Sequence, residues 1–251
     1  MNKVVLGDCL DVMSDIKDKS IDLVVVDPPY GITKCKWDTT IDLNKMWEHL
    51  NRIVKDNCPI LIFGSEPFMS TVRVSNISNY KYDWVWQKNC PSNIACANFQ
   101  PMRYTEYIAV FYKGKPKFNK QMIPRSDSGK RLIKGYQDKD TTFKLSKSNV
   151  SSVTSTEVSP NRYSTELKNP SNVIYFNTVR GKKHHTTQKP LDLIKYFIKT
   201  YTDENDTVLD FCAGSGTTGI ACEQLKRKYY LIEKDENYYN VILKRLKNEK
   251  S

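Results

Sequence analysis

Asp27-Pro28-Pro29-Tyr30 concentrates more chemistry than any other stretch of this 251-residue chain. It follows the apolar run Leu23-Val24-Val25-Val26, so it sits where a buried strand ends. In parallel α/β sheets, ligands collect outside the carboxyl ends of the strands. Two successive prolines donate no backbone hydrogen bonds and stiffen the turn that leaves the sheet. The turn therefore presents an acid, unpaired carbonyls and an aromatic ring together. On these four residues alone, an ordinary strand-ending turn explains the pattern equally well.

A second turn adds weight. Gly214-x-Gly216-x-x-Gly219 lies between a strand pattern, Thr207 to Phe211, and a helix pattern, Thr217 to Leu225. An acid, Glu233, ends the following strand, Tyr229 to Ile232. Glycines let the backbone approach a ligand, and the acid accepts hydrogen bonds from ribose hydroxyls. The spacing fits a nicotinamide dinucleotide or a sulfonium nucleoside such as S-adenosylmethionine, and also a turn needed only for helix–sheet packing. Asp210, just before the turn, would repel a pyrophosphate and attract an ammonium group. Asp8, after the strand Val4 to Leu6, either accepts from the exocyclic amine of an adenine or caps the helix that starts near Cys9.

If the electrophile is the methyl group of S-adenosylmethionine, the Asp27 turn suits an exocyclic amine on a nucleobase. Such an amine is a poor nucleophile because its lone pair is delocalised into the ring. The Asp27 carboxylate and the Pro28 carbonyl would accept its two N–H groups, localise the lone pair and offset the charge that develops on nitrogen. Tyr30 would supply a flat face for the base, which must leave a duplex to reach the turn. Neither a metal nor a covalent nucleophile is required; in-line placement supplies most of the acceleration.

Strand and helix patterns alternate around both turns. Cys9 to Ile16, Leu43 to Val54, Pro67 to Val74, Leu191 to Tyr201 and Asn237 to Leu246 have helical spacing. Pro59 to Phe63, Tyr82 to Trp86, Tyr107 to Tyr112 and Val173 to Phe176 read as further strands, and the polar stretch from Gly31 to Thr40, with Trp37, reads as a loop. This predicts a doubly wound, mostly parallel α/β sheet. The boundaries expected are residues 1–112, a basic insert over 113–172, and 173–251. Tyr136, Phe143, Leu145, Tyr163 and Leu167 are available to pack the insert into a small subdomain.

The net charge is +11, and it is uneven. From Lys113 to Lys189 there are 17 Lys and Arg against 5 Asp and Glu; the remainder has 22 against 23. A localised basic region is the footprint of a polyanion, most often nucleic acid. Arg125, Arg131, Arg162 and Arg180 are candidates for base contacts, and Lys182, Lys183, His184 and His185 for phosphate contacts. His49 falls on a predicted helix and reads as structural. Seven cysteines without a CxxC pair suggest buried thiols rather than disulfides or zinc. No membrane-length apolar run and no secretory pattern is present, so the expected compartment is the cytoplasm.

Taken in order, Val5-Leu6-Gly7-Asp8, Asp27-Pro28-Pro29-Tyr30-Gly31, Glu106 to Tyr112, Thr187-Gln188-Lys189-Pro190-Leu191 and Leu209 to Thr218 resemble the amino-group DNA methyltransferases, which modify adenine N6 or cytosine N4. The order, catalytic turn before cofactor turn, is that of the permuted β group, whose target-recognition region lies where the basic insert lies here. The resemblance implies a seven-stranded, Rossmann-like methyltransferase sheet with S-adenosylmethionine as cofactor and duplex DNA as partner. A homodimer and a cognate restriction endonuclease are compatible with it; a membrane is not.

By the same resemblance Asp27, Pro28, Pro29 and Tyr30 are catalytic. Asp8, Cys9, Asp27, Thr187, Gln188, Lys189, Asp210, Phe211, Cys212, Ala213, Gly214, Ser215, Gly216, Thr217, Thr218, Glu233 and Lys234 surround the cofactor. Lys189 would lie near the cofactor carboxylate or act as a charge partner. Two departures stand out: Phe211-Cys212 where the family more often has Pro-Phe, and His185-Thr186-Thr187 where it usually has His-Pro-Thr. Asp at position 27 favours adenine N6 over cytosine N4. The competing readings are a DNA-binding protein of this fold without turnover, a nicotinamide oxidoreductase, and methylation of RNA or of a protein amide.

Overall fold

The computed structural model describes residues 2–31, 40–138, 143–144, 157–158, 164–181 and 188–249. In chain order the first elements are β1 (Lys3–Leu6), α1 (Cys9–Ser14), β2 (Leu23–Val26), α2 (Leu43–Ile53), β3 (Ile60–Gly64), α3 (Phe68–Ser75), β4 (Tyr80–Gln87) and β5 (Thr105–Phe111). Next come β6 (Ile123–Pro124), α4 (Asp127–Asp138), β7 (Phe143–Lys144), β8 (Glu157–Val158) and β9 (Leu167–Lys168). The chain closes with β10 (Val173–Tyr175), α5 (Leu191–Tyr201), β11 (Thr207–Asp210), α6 (Thr217–Gln224), β12 (Lys228–Glu233) and α7 (Glu236–Glu249).

One eight-stranded sheet in the order β1-β12-β11-β2-β3-β5-β4-β10 organises the larger of two compact units, residues 1–119 and 172–251. Every pairing is parallel except those of β5, which runs against both β3 and β4. The sheet is one strand wider than the expected seven, because Val173–Tyr175 adds an edge strand parallel to β4. Leu23 to Val26 in β2 and Ile60 to Gly64 in β3 are buried along their whole length, as central strands covered on both faces must be.

Alternation along those strands separates two cores. Leu23, Val25, Leu61 and Phe63 meet Phe197 of α5, Ile220 of α6 and Ile242 of α7 on one face. Val24, Val26, Ile60 and Ile62 meet Met13 of α1, Leu50 of α2 and Met69 of α3 on the other. The helices form for local reasons as well. Asp42 caps α2, accepting from the Asn44 and Lys45 amides at 2.9 and 3.2 Å, and Met46, Trp47, Leu50 and Ile53 bury its apolar face. No helix among the described residues is long and apolar enough to cross a membrane.

The smaller unit, residues 120–171, lies within the basic insert. Its described parts are two short antiparallel pairs, β6 with β9 and β7 with β8, and the helix α4, which was not expected from the sequence. The Gly31–Thr40 loop with Trp37 lies almost wholly outside the described residues.

α5 is fastened to the sheet by a polar knot. The buried Tyr201 hydroxyl accepts from the Trp84 indole at 2.7 Å and pairs with the Tyr82 hydroxyl at 2.7 Å. Tyr201→Phe would leave both partners without that oxygen in a buried setting, so a loss of about 1–3 kcal/mol is expected. Urea unfolding checks it; a midpoint unchanged at constant m-value would mean that the knot contributes nothing net.

Candidate active site

Four neighbouring parallel strands, β1, β12, β11 and β2, each close on an acid: Asp8, Glu233, Asp210 and Asp27. The shared direction of the strands brings all four to one edge of the sheet. There they line a single cleft of about 820 Å³, together with the glycine turn, Ser65, Lys88, Arg103, Gln188 and Lys189. Clefts of this size hold small-molecule ligands.

The β11–α6 turn forms part of the wall. Gly214 and Gly216 sit at φ +53 and +77, which favours glycine. A Cβ at Gly216 would also meet the Ile242 side chain at 2.9 Å. The third glycine of the pattern does another job: a Cβ at Gly219 would strike Leu231 at 2.6 Å, so it permits α6 to pack on the sheet. The Gly214 amide donates to Glu233 Oε2 at 2.7 Å, and the Asp235 amide to Oε1 at 2.8 Å. Glu233 is thereby fixed with lone pairs left for a ligand.

These acids are neutralised in two different ways. Asp8 caps α1 through the Leu10 amide at 3.0 Å and pairs with Lys234 at 3.0 Å; the hydrogen bond from Lys234 holds it below the ordinary carboxylate range. Among the described residues the donors to Asp210 are neutral, the Thr218 hydroxyl at 2.6 Å and the Cys212 amide at 3.2 Å. Burial therefore pushes Asp210 up to about 7, against the pull of those two bonds. Burial also raises Glu233. One buried and one half-buried acid, without an ammonium partner among the described residues and beside a close-approach turn, suit a cationic ligand and oppose a pyrophosphate. The Ser215 hydroxyl, also on this wall, is buried with no protein partner among the described residues.

Asp27 lies at the other end of the cleft. The Tyr30 hydroxyl donates to its Oδ1, and the Lys189 ammonium pairs with Oδ2 at 2.7 Å. Lys189 pairs equally with Glu106 Oε1 at 2.7 Å, and Lys88 lies 3.5 Å from Glu106 Oε2. Burial raises the Asp27 carboxyl against the attraction of Lys189. Burial, and then the charges of Asp27 and Glu106, place the Tyr30 phenol well above its ordinary range, so it stays a donor. Burial disfavours the Lys189 charge, but the two acids outweigh it and hold the ammonium well above its usual value. Burial lowers Lys88. The Tyr30 ring is stacked on that of Phe68, with centroids 5.1 Å apart.

Most of the residues singled out in the sequence meet at this cleft: Asp8, Cys9, the Asp27–Tyr30 turn, Gln188, Lys189, Asp210 to Ser215, Thr217, Thr218, Glu233 and Lys234. Several have roles other than those expected. Of the two places read for Lys189, the ion pairs are those of the charge partner: it is engaged by Asp27 and Glu106. Cys9 and Cys212 share a thiol hydrogen bond that pulls Cys9 down and pushes Cys212 well above its ordinary range. Gly216 shapes the turn from behind, against α7. Thr187, Arg162, Lys182, Lys183, His184 and His185 lie outside the described residues.

Part of the basic excess is committed within the protein. Arg125 holds the Ser164 carbonyl through Nε at 3.0 Å, Lys130 pairs with Glu166, and Lys117 pairs with Asp206 and Asp203. Arg131 and Arg180 are exposed. Glu106 and Lys88 were not anticipated as site residues. The available signal was a lone acid opening the apolar strand Glu106 to Tyr112.

A family model described as DNA methylase matches residues 21–244. The Type II methyltransferase M2.MboI of Moraxella bovis is 30% identical over 97% of this chain and 89% of its own length. The Type II methyltransferase M.HinfI of Haemophilus influenzae is 26% identical over 100% of this chain and 69% of its own. The solved M1.HpyAVI–SAM complex superposes with a TM-score of 0.64 at 26% identity, covering 98% of this chain and 100% of that one. The cytosine-N4-specific PvuII DNA methyltransferase shares the fold, with a TM-score of 0.64 at 16% identity over 99% of this chain and 90% of its own. The chain belongs to the DNA methylase family that acts on adenine N6 or cytosine N4.

The Asp210 environment has a measurable consequence. Its folded value lies above the ordinary 3.8, so the stability it contributes is present below about pH 4 and is lost as pH rises through about 7. Asp210→Asn removes the titration. Between pH 5 and 8 the wild-type fold should lose about 2–3 kcal/mol relative to that variant, read from urea unfolding at both pH values. An equal gap at the two pH values would mean that Asp210 is already ionised at pH 5.

Proposed function

We propose that this DNA methylase transfers a methyl group from S-adenosylmethionine to the exocyclic N6 of adenine in duplex DNA, with the target base extruded into the cleft. The observation that carries the reading is the placement of Asp27 and Asp210 at the carboxyl ends of adjacent parallel strands, β2 and β11, where both line one cleft. An acceptor pair for an amine and a seat for a cationic ligand thus open into the same space.

The residues fit the cofactor. When bound, S-adenosylmethionine supplies an electrophilic methyl group on a positively charged sulfur. Asp210, buried, and Glu233, half-buried, have no ammonium partner among the described residues and favour a ligand that brings positive charge. The glycine turn allows close approach, Glu233 keeps acceptor capacity for ribose hydroxyls, and Asp8 stands at the outer wall for the adenine ring.

At the other end, the Asp27 carboxylate and the Pro28 carbonyl accept the two N–H groups of the target amine. Lys189 and Tyr30 hold Asp27 in one orientation before the base arrives, so little reorganisation is left for the reaction. Glu106 shares the Lys189 charge and so tempers its hold on Asp27. Burial raises the proton affinity of Asp27, which suits it to take the proton that the methylated nitrogen sheds. A carboxylate at position 27 supports adenine as the base. The concentration of positive charge between Lys113 and Lys189 supports DNA as the partner.

Purified protein is expected to move label from S-adenosylmethionine to duplex DNA, and digestion of the product should release N6-methyladenine. N4-methylcytosine in its place would overturn the choice of base. Asp27→Ala should lower transfer by roughly 10²–10³-fold, while calorimetry finds cofactor affinity within a few-fold of wild type. Loss of transfer and cofactor binding together would mean that the catalytic centre lies elsewhere.

A further inference from the structure

Large side chains left in water cluster in one connection. Phe99 is 79% exposed and Ile94 67%, with Met102 and Tyr104 also exposed. All four belong to residues 88–104, between β4 and β5, which turn through a short 3₁₀ helix at Ile94–Cys96. Hydrogen bonds hold the connection in shape. The Lys88 amide reaches the Tyr104 carbonyl at 2.7 Å, and the Ser92 amide reaches that of Arg103 at 3.1 Å. The Asn93 side-chain amide donates to the Pro101 carbonyl at 3.1 Å, and the Phe99 amide to the Cys96 carbonyl at 3.1 Å. The loop therefore presents an unburied ring on a supported backbone, an arrangement that marks interaction surfaces.

Composition and position identify the kind of partner. Residues 88–105 contain no Asp or Glu; apart from the buried Lys88, which faces Glu106, they carry Arg103 and the amides of Asn89, Asn93, Asn98 and Gln100. Residues 171–181 also lack acids and carry Arg180. The two stretches form one rim. Asn89 Oδ1 accepts from the Thr178 amide at 2.8 Å and hydroxyl at 3.0 Å, and Arg180 reaches Cys90 Sγ at 3.1 Å. Ser92, Arg103, Thr178 and Val179 of this rim line the cleft that holds Asp27. Guanidinium and amide groups read base edges, and aromatic rings stack on bases. A second copy of this chain fits less well, because a two-fold contact would set acid-free cationic rims against each other.

We propose that the 88–104 loop is a DNA-contacting element distinct from the 113–172 insert, with Phe99 packing on bases that flank the extruded one. The proposal rests on the reading of the chain as a DNA methyltransferase. Its test uses the full chain on duplex DNA that carries the site mapped for wild type. Phe99→Ala, at an exposed position, should raise KM for DNA about tenfold and leave KM for S-adenosylmethionine and the thermal midpoint unchanged. Phe99→Trp should keep KM near wild type, and the added indole emission should be quenched by the duplex.

Wild-type KM in Phe99→Ala, with no added quenching in Phe99→Trp, would overturn the assignment while leaving the methyltransferase reading intact. Reduced self-association of Phe99→Ala in sedimentation, with DNA kinetics unaltered, would assign the loop to a protein interface and overturn it as well. Absence of transfer by wild type would remove the methyltransferase reading itself, and this inference with it.

Discussion

Like charges gathered at one edge of a sheet repel, and this chain gathers four of them. Parallel pairing of β1, β12, β11 and β2 brings Asp8, Glu233, Asp210 and Asp27 to the same edge. They are accommodated in three ways, and the differences divide the cleft into working regions. The outer acid, Asp8, has an ammonium and a helix amide. Among the described residues the two middle acids are met by amides and a hydroxyl, so burial raises both and leaves a place for positive charge. The fourth, Asp27, shares a buried ammonium with Glu106. One geometric constraint thus yields an outer wall, a cation seat and a poised acceptor.

Lys189 makes that last region possible by joining three distant parts of the chain: the turn after β2, the start of β5 and the segment that enters α5. Two buried carboxylates side by side would be strongly unfavourable without it, and a buried ammonium would be equally so without them. Lys88 adds a second positive charge on the far side of Glu106. The network keeps Asp27 oriented at a cost in desolvation that a purely structural core would avoid. Active sites commonly hold such arrangements.

The architecture was legible to different degrees for physical reasons. Leu23 to Val26 and Ile60 to Phe63 are short, continuous, largely β-branched or aromatic apolar runs, which suit strands buried on both faces, and both are central strands. α5 starts and ends where Pro190 and the periodicity of Leu191 to Tyr201 place it. α4 was not read because its polar, basic sequence lacks a long apolar stripe. The third strand-sized stretch near the insert, Val173 to Tyr175, is short, and its place as an eighth strand follows from pairing with β4, a long-range contact.

For the site, the sequence by itself determined the chemical inventory: an acid before two prolines, a glycine turn flanked by acids, and an uneven charge. Those features are local, because strand ends, turns and left-handed glycines are set by neighbouring residues. Only the tertiary structure decided the partners. Glu106 looked like one acid at the head of an apolar strand, and Lys189 like a cation near a cofactor or a charge partner of unknown acid; the fold sets Lys189 between Asp27 and Glu106. The same holds for Gly219, which matches a ligand-binding pattern in letters and serves α6 packing in fact. Charge pairing and close packing depend on distances between residues far apart in the chain, and only the folded sheet sets those distances.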